Sequence, residues 1–230
     1  MTHSSGLRVL TWNLHGGVGL DGVRDYGRLM NCVASLDVDI AALQEVDGRL
    51  WDEAGTVADA FQHHLGLHGI FATAIESTDG HYGQMLLSRW AFRSSEIHDI
   101  SVPTCEPRRA IVATVQTASG GLRIIATHLG LKVRERHIQA ERLSEILGRS
   151  QMPTILLGDF NDWSRFQATR GLLERMLPSY TRHRTFPSRS PLFALDRIYY
   201  QPAGLLRSSR VVKGARMLSD HLPLVADLNP

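Results

Sequence analysis

Cysteines, long apolar runs and an excess of one charge are scarce or absent in this chain. The two cysteines among 230 residues, Cys32 and Cys105, are too few for a disulfide framework or a four-thiolate zinc site and suit a reducing compartment. No stretch approaches the roughly 18 uninterrupted apolar residues of a membrane-spanning helix. Residues 1–6 lack the basic start and apolar run of a secretion signal. We therefore expect a cytoplasmic protein with no stable membrane insertion.

The charges are balanced, with 25 Lys and Arg residues against 23 Asp and Glu residues and a net charge of +2. This balance excludes a dedicated nucleic-acid coat, although it is compatible with local basic patches. The hydrophobic fraction of 43% and the charged fraction of 21% are typical of soluble globular proteins and argue against disorder. The length predicts one domain over residues 1–230. Nothing in the composition indicates an oligomeric state.

Short apolar runs of strand length alternate along the chain with segments of helical spacing. The runs predicted as strands are residues 7–12, 40–43, 85–87, 110–115, 122–127, 154–157, 197–200, 211–212 and 223–228. The segments predicted as helices are residues 26–36, 57–65, 133–147 and 165–177. The strands within 110–129 and within 195–228 follow each other with no helix between them. This order favours mixed sheets over a purely parallel sheet.

A glycine pattern near the start suggests a different fold. Gly17, Gly19 and Gly22 form a G-x-G-x-x-G sequence between a predicted strand and a predicted helix. Glu45 ends the next strand at about the distance expected for a ribose-binding acid, so a dinucleotide-binding oxidoreductase is one alternative. Against it, residues 13–16 separate the first glycine from its strand, and the second half of the chain shows no second βαβ set. The glycines are then better explained as a plain loop.

Polar residues follow several of the predicted strands. Asn13 ends the first run, Glu45 follows the second, His128 follows the fifth, and Asp159 and Asn161 follow the sixth. Open α/β sheets place their sites at the carboxyl ends of strands, because several strands converge there and rigid backbone holds the side chains. We therefore expect these residues to share one pocket.

Two further acids lie at strand boundaries. Asp196 opens the run at 197–200, and Asp220 precedes His221 just before the last strand. A carboxylate that accepts the imidazole N–H fixes the ring tautomer and stabilises the charged form. Asp196 is therefore a candidate partner of either His221 or His128. A serine hydrolase is disfavoured, because no G-x-S-x-G sequence is present.

Seven short motifs follow one another along the chain: Thr11-Trp12-Asn13, Leu43-Gln44-Glu45, Gly83-Gln84-Met85-Leu86-Leu87-Ser88, Thr127-His128-Leu129, Gly158-Asp159-Phe160-Asn161, Leu195-Asp196-Arg197-Ile198 and Ser219-Asp220-His221. Together they resemble the endonuclease/exonuclease/phosphatase superfamily of metal-dependent phosphoesterases, in particular its compact bacterial members. The resemblance covers nearly the whole chain. It implies an α/β (α+β) fold, a four-layer sandwich in which two mixed β-sheets pack face to face with helices on the outside.

The resemblance also implies a cofactor, a divalent cation that is either Mg²⁺ or Mn²⁺. Glu45 would be its principal ligand, helped by Asn13 and Asp220. Oxygen ligands of this kind suit both ions.

The same resemblance assigns catalytic roles to five residues in the hydrolysis of a phosphoester by in-line attack of water. Asp159 would orient or deprotonate the water, and Asn161 would hold the water or a phosphoryl oxygen. His221, paired with Asp196, would contact the phosphate or move a proton. His128 would stabilise charge on the phosphoryl oxygens or assist the leaving group. A protein that keeps this fold only for binding is an alternative, although it would have little reason to retain every motif.

Two basic segments bear on the choice of substrate. Arg108 and Arg109 resemble the superfamily's arginine near the phosphate, whereas Lys132, Arg134 and Arg136 are predicted to lie on a solvated helix face. Nucleases need a basic rim because affinity for DNA comes largely from phosphate contacts. The long loops that abasic-site endonucleases insert against DNA have no counterpart here. We therefore favour a small or phospholipid-type phosphodiester, and a DNA endonuclease or exonuclease, with nucleic acid as its substrate, is the alternative.

Overall fold

The computed structural model describes residues 6–49, 51, 54–148, 150–163 and 168–229. Its strands are β1 Leu7–Asn13, β2 Ile40–Asp47, β3 His68–Ser77, β4 Gly80–Ser88, β5 Phe92–Asp99, β6 Arg109–Thr117, β7 Gly120–His128, β8 Thr154–Asp159, β9 Ser179–Tyr180, β10 Asp196–Gln201, β11 Leu206–Val211 and β12 Leu224–Leu228. Its α-helices are α1 Tyr26–Ser35, α2 Val57–Leu65, α3 Val133–Leu147 and α4 Ala168–Met176. Residues 165–167, where the fourth predicted helix begins, lie outside the described residues.

Two mixed six-stranded sheets form the centre of the fold. The first has the strand order β11-β12-β1-β2-β4-β3, and the second has the order β5-β6-β7-β8-β10-β9. One neighbouring pair in each sheet is parallel, β1 with β2 and β7 with β8. Val9 and Ile40 of the first sheet and Ile124 and Ile155 of the second belong to one buried core between the sheets.

The helices cover the outer faces of both sheets. Leu29 of α1 and Phe61 of α2 pack against the first sheet. Leu143 of α3 and Leu173 of α4 pack against the second. This arrangement confirms the predicted four-layer sandwich. None of the helices that the structure describes is long and apolar enough to cross a membrane.

Local sequence signals explain where α1 and α2 begin and where α2 ends. The Asp25 carboxylate accepts a hydrogen bond from the Arg28 backbone N–H at 3.0 Å, which caps the start of α1. Thr56 and Asp59 form a reciprocal capping box at the start of α2. Gly66 ends α2 in the left-handed conformation, with φ of 64°, which glycine adopts without steric cost.

Two long strands, β3 and β5, were not predicted from the sequence. Both lie at an edge of their sheets, and most of their residues are exposed or half-buried. In β5, as in many solvated edge strands, polar residues replace an apolar run, whereas residues 70–75 of β3 are mostly apolar. The Phe92–Asp99 segment accordingly includes Arg93, Ser94, Ser95 and Glu96, so the apolar-run criterion does not find it.

The glycine-rich segment after β1 is a closed turn. The Gly19 backbone N–H donates to the Val23 carbonyl at 3.0 Å, and a Cβ added to Gly17 would lie 2.9 Å from the Tyr26 ring. The strand before the turn, β1, pairs parallel with β2 on one side and antiparallel with β12 on the other. The dinucleotide-binding alternative required an open parallel sheet, and the two packed mixed sheets exclude that fold.

The two parallel pairs bring polar strand ends to one edge of the sandwich. Asn13 lies opposite Gln44 at the ends of β1 and β2, and His128 lies opposite Asp159 at the ends of β7 and β8. In β10, which runs antiparallel to β8, Asp196 also lies opposite Asp159. The edge therefore collects residues from both sheets.

Candidate active site

Asn13 connects the two sheets at this edge. Its Nδ2 donates to Glu45 Oε1 at 2.9 Å and to Asp159 Oδ2 at 3.1 Å. Its Oδ1 accepts a hydrogen bond from the His15 backbone N–H at 3.0 Å. A carbonyl oxygen has two lone pairs, so Oδ1 still has one to offer to a ligand. Asn13 thus holds a carboxylate from each sheet in one place.

Glu45 reaches the site because β2 is irregular at this position. The register between β2 and β4 shifts between Leu43 and Val46, and the φ of Glu45 is 53°. Bulges of this kind re-aim a side chain, and positive φ values at non-glycine residues are concentrated at functional sites. The Glu45 side chain is 25% exposed, so its carboxylate can meet a molecule that enters from solvent.

Asp159 is the most deeply buried carboxylate that borders both Asn13 and the site histidines. Its Oδ1 accepts the Asn161 backbone N–H at 2.9 Å, and its side chain is 1% exposed. Burial disfavours the charged form and raises the pKa of Asp159 to about 6, against the lowering effect of the nearby His221. A carboxyl with a pKa near neutrality can both accept and release a proton under physiological conditions.

The structure selects His221 as the partner of Asp196. His221 Nδ1 lies 2.8 Å from Asp196 Oδ2, whereas His221 Nε2 lies 3.7 Å from Asp159 Oδ2. Burial lowers the pKa of His221, but the Asp196 and Asp159 carboxylates outweigh it and raise the pKa to about 10. The Phe186 ring packs against the imidazole, with 4.9 Å between the ring centroids. His221 is therefore a buried, oriented imidazolium.

His128 has the opposite protonation tendency. Burial, together with the positive charges of Arg108 and His221, holds the pKa of His128 well below its usual range. Asn161 Nδ2 lies 3.2 Å from His128 Nε2 and donates to the Leu129 carbonyl at 2.9 Å. Since only the amide nitrogen can donate to a carbonyl, Asn161 presents N–H groups to both, and His128 Nε2 is an acceptor. A neutral His128 thereby fixes the Asn161 amide.

These contacts bring together eight of the ten residues that the sequence singled out: Asn13, Glu45, His128, Asp159, Asn161, Asp196, Asp220 and His221. A model of the endonuclease/exonuclease/phosphatase family matches residues 10–221, a span that includes all of them. The chain belongs to the endonuclease/exonuclease/phosphatase family. Its members are hydrolases that act on phosphoesters.

Individual relatives extend this family likeness over the full length. The uncharacterized protein YbhP of Escherichia coli strain K12 is 29% identical over 256 residues, which cover 99% of this chain and 98% of that protein. An endonuclease/exonuclease/phosphatase structure from Beutenbergia cavernae has a TM-score of 0.77 at 21% identity and covers 97% of this chain and 71% of that one. The human nocturnin catalytic domain with bound sulfate has a TM-score of 0.73 at 23% identity, with coverages of 99% and 96%. The two structural likenesses show a shared fold.

A divalent cation, on which family members generally depend, fits this chain at Glu45. No lysine or arginine of the described residues lies within ion-pair distance of the Glu45 carboxylate, whose histidine neighbour, His128, is held neutral. The ligand atoms of Asp159, Asp196 and His221 also lie within 4.8 Å of one another. In that trio, however, His221 is already bonded to Asp196 and positively charged, which disfavours a cation there. Glu45 and Asn13 are thus the better-suited ligands.

The two arginines predicted to meet phosphate line a small open pocket together with His128, Tyr82, Gly83 and Gln84. Arg109 is bonded within the protein, to Asp99 at 2.7 Å and Ser101 at 2.8 Å. Arg108 pairs with Glu106 through Nη1, and its buried Nε has no hydrogen-bond partner among the described atoms. Of the two, Arg108 is therefore better placed to receive an anion.

The structure corrects the prediction of a solvated basic face on α3. Lys132 and Arg134 are exposed, but the Arg136 side chain is fully buried. Its guanidinium lies 5.2 Å from the centroid of the Trp163 ring and 3.9 Å from Asp162 Oδ1. Arg136 thus packs under the loop that carries Asn161 and cannot take part in an external basic rim.

Sequence reasoning missed Tyr82 and the burial of Arg136. The Tyr82 hydroxyl shares the pocket with Arg108, and burial, with the Glu45 and Glu106 carboxylates, raises the pKa of Tyr82 above its usual range. Tyr82 precedes the Gly83–Ser88 motif by one residue, so an extension of that motif would have found it. The burial of Arg136 carried no sequence signal, because helical spacing alone does not show which charged residue is buried.

Proposed function

We propose that this protein is a divalent-metal-dependent phosphodiesterase that acts on a small or phospholipid-type phosphodiester by in-line attack of an activated water. The proposal takes residues 1–230 as a single catalytic domain. The observation that carries it is the constellation of a proton acceptor, Asp159, and an imidazolium, His221, beside a carboxylate, Glu45, that has no basic partner in the described part of the chain.

Asp159 is the proposed base. The Asn161 backbone N–H and the Asn13 amide both bind its oxygens, at 2.9 and 3.1 Å, so its carboxylate is fixed relative to both sheets. With the pKa of Asp159 near 6, the group is mostly ionised at pH 7.5 and basic enough to take a proton from water.

His221 is the proposed donor to the phosphoryl group. Its Nδ1–H donates to Asp196, which leaves Nε2–H as the proton that can be offered to a phosphoryl oxygen or a departing alkoxide. The raised pKa of His221 keeps this proton in place at neutral pH. Asp196 acts through His221, because it orients the ring and stabilises its charge.

His128 and Asn161 are proposed to act as a unit. The neutral His128 ring accepts from Asn161 Nδ2 and so holds that amide against the Leu129 carbonyl, beside Asp159. Charge stabilisation by His128 itself would require its Nδ1–H. Glu45, Asn13 and Asp220 would hold the cation, which when bound neutralises charge on the phosphoryl oxygens.

The arrangement of arginines favours a small substrate over DNA. Arg109 is bonded to Asp99, and Arg136 is fully buried away from any external rim. Arg108 lines the pocket beside His128 and has a buried Nε with no hydrogen-bond partner among the described atoms. Duplex DNA binding draws on many simultaneous phosphate contacts. Lys132 and Arg134 remain as exposed cations that a nucleic acid could meet.

An activity screen tests the proposal directly. Bis-p-nitrophenyl phosphate, phospholipids, single-stranded DNA and abasic-site duplex would be offered with Mg²⁺, Mn²⁺ or EDTA. We expect metal-dependent hydrolysis that falls about 10²–10³-fold in Glu45→Gln, because the substitution removes the charge of the main ligand and keeps its shape. Glu96→Gln, which changes an exposed carboxylate on β5, is the matched control and should keep full activity. Full activity of Glu45→Gln in EDTA would overturn the proposal.

Salt dependence separates the two substrate classes. A small phosphodiester touches few charges, so KM should change little between 50 and 200 mM salt, whereas each phosphate contact on duplex DNA adds roughly 0.9 to the logarithmic slope. Lys132→Ala with Arg134→Ala should leave turnover of the small substrate unchanged. A steep slope on DNA that these two substitutions flatten would assign the protein to the nucleases.

A further inference from the structure

His15 is held in an unusual position directly beside the proposed metal ligands. It follows Asn13 by two residues, and its backbone N–H donates to Asn13 Oδ1 at 3.0 Å. Its φ is 50°, a value that few non-glycine residues adopt, and Gly16 and Gly17 continue with φ of 61° and 83°. Residues in such conformations are retained where the surrounding structure requires them, often at functional sites.

The hydrogen bond of the His15 ring fixes its tautomer. His15 Nδ1 lies 3.1 Å from the Val18 carbonyl oxygen, and because a carbonyl can only accept, Nδ1 carries the proton. In the neutral ring the lone pair is then on Nε2. Metal-binding histidines typically have this arrangement, in which one ring nitrogen donates to a backbone carbonyl and the other faces the ion.

His15 Nε2 points toward a second conventional ligand. It lies 4.0 Å from Asp220 Oδ2, and the side chains of His15 and Asp220 are 47% and 29% exposed. That distance is too long for a charge-assisted hydrogen bond, which spans about 2.7–2.9 Å. Two ligands that each lie about 2.1 Å from one ion are separated by about 3.0 Å when adjacent and by at most about 4.2 Å when opposite. The observed separation falls within that range.

The loop that carries His15 is rigid enough to present the ring without reorganisation. The Gly17 backbone N–H donates to the Leu14 carbonyl at 2.9 Å, and the Val18 N–H donates to the His15 carbonyl at 3.0 Å. On the Asp220 side, the Ser219 hydroxyl donates to the Asn13 carbonyl at 2.7 Å. The two ligands are therefore fastened to the same end of β1.

The other two site histidines are committed elsewhere. His128 Nε2 accepts from Asn161, and His221 Nδ1 is bonded to Asp196 in a ring that carries a proton at neutral pH. Among the histidines described at this edge, His15 combines a fixed tautomer with an Nε2 that lies 4.0 Å from a partly exposed carboxylate.

We propose that His15 Nε2 and the Asp220 carboxylate together bind a divalent transition-metal ion, so that the metal ligands of this chain include an imidazole nitrogen. The inference rests on the proposed metal-dependent function and deepens it. Divalent transition-metal ions accept an imidazole nitrogen more readily than Mg²⁺ does, Mn²⁺ weakly and Co²⁺ more strongly, because affinity for nitrogen-containing sites rises from Mn²⁺ to Co²⁺. This protein should therefore bind Mn²⁺ or Co²⁺ in preference to Mg²⁺ through His15.

Mn²⁺ alone is the probe for the experiment. Pulsed electron paramagnetic resonance of the Mn²⁺-loaded wild type should show coupling to a ¹⁴N nucleus, and His15→Gly should abolish it. Glycine accepts the φ of 50° without strain, so the loop is preserved. Calorimetry should show Mn²⁺ affinity lowered about 10–100-fold in His15→Gly and Mg²⁺ affinity changed by less than about threefold. His15→Asn, which also tolerates positive φ, should resemble His15→Gly.

The matched control is His98→Ala. His98 also faces a carboxylate, Glu96, at 3.1 Å, but on the surface of β5, and its removal should change neither the coupling nor the affinity. Nitrogen coupling that persists in His15→Gly, or equal loss of Mn²⁺ and Mg²⁺ affinity, would overturn the inference. The contact between His15 and Asp220 would then be a direct one, with no ion between them. Failure of the wild type to bind either ion would instead overturn the proposed function itself.

Discussion

His128 and His221 are two histidines at one site that have the same burial and opposite charge. Their exposed fractions are 5% and 4%, so loss of solvent penalises the imidazolium similarly in both. Around His221, Asp196 lies at 2.8 Å and Asp159 at 3.7 Å, and the pKa of His221 rises to about 10. Around His128, burial is reinforced by the positive charges of Arg108 and His221, and the pKa of His128 falls.

Because burial lowers the pKa of both rings, the difference in their protonation comes from their charged neighbours. A carboxylate within hydrogen-bond distance more than offsets the desolvation of one ring, whereas the other ring has Asn161 as its hydrogen-bond partner. The site thus keeps a proton donor and a neutral acceptor side by side. Pairs of titratable groups whose environments separate their pKa values are typical of acid–base catalysis.

The largest expected effect comes from removing the charge next to His221. Asp196→Asn keeps the shape and an acceptor for Nδ1–H but should lower the pKa of His221, and kcat at pH 7.5 should fall about 10²–10³-fold. NMR titration of the ring and kcat measurements between pH 5 and 9 would check both effects. Part of the activity should return as the pH falls, because His221 is then reprotonated. Asp37→Asn, at a 69% exposed carboxylate, is the control, and an unchanged pKa of His221 in Asp196→Asn would contradict the comparison.

A smaller loss is expected at the neutral ring. His128→Gln should lower kcat about 10–100-fold, because the flexible Gln side chain does not hold its acceptor oxygen in the fixed position of the His128 Nε2 that orients the Asn161 amide. Since His128 is neutral over the working range, the shape of the pH–rate profile should not change. Steady-state kinetics across pH would test this, with His98→Gln as the control. A profile that loses one limb in His128→Gln would mean that His128 exchanges a proton during turnover.

Burial of the Asp159 carboxyl should lower the free energy of unfolding as the pH rises. Its pKa rises from 3.8 to about 6 on folding, so the folded state binds this proton more tightly, and the stabilisation is lost as the pH rises through that window. Asp159→Asn has no such titration. Between pH 4 and 6.5 the wild type should therefore lose about 2 kcal/mol of unfolding free energy relative to the variant. Urea unfolding at several pH values measures it. A pH-independent difference would show that Asp159 is not desolvated as described.

The smallest effect concerns the charge beside His128. Arg108→Gln should raise the pKa of His128, because a positive neighbour is lost, whereas Arg108→Lys keeps the charge and should leave the pKa low. NMR titration of the His128 ring in both variants distinguishes charge from packing. Equal shifts in the two variants would indicate that Arg108 acts on His128 through packing alone.

Most of the fold and the membership of the site could be predicted from the sequence. Apolar runs identified eight of the twelve described strands and met a ninth, β11, only at Val211, and polar residues at strand boundaries, such as Asn13, Asp159 and His221, do meet at one edge. The edge strand β5 escaped because a solvated strand lacks an apolar run, whereas β3 was missed although its residues 70–75 are mostly apolar. The burial of Arg136 escaped because nothing in its helical neighbourhood shows which face Trp163 covers.

The sequence by itself determined which polar groups stand at strand ends, because alternation and chain order are local properties. Only the tertiary structure decided that Asp196 serves His221 and leaves His128 neutral, since 25 residues separate Asp196 from His221 and their contact depends on the packing of separate elements. It likewise decided that Asn13 joins Asp159 across 146 residues. Protonation follows from these distances and from the low dielectric of a buried site, and neither exists in the unfolded chain.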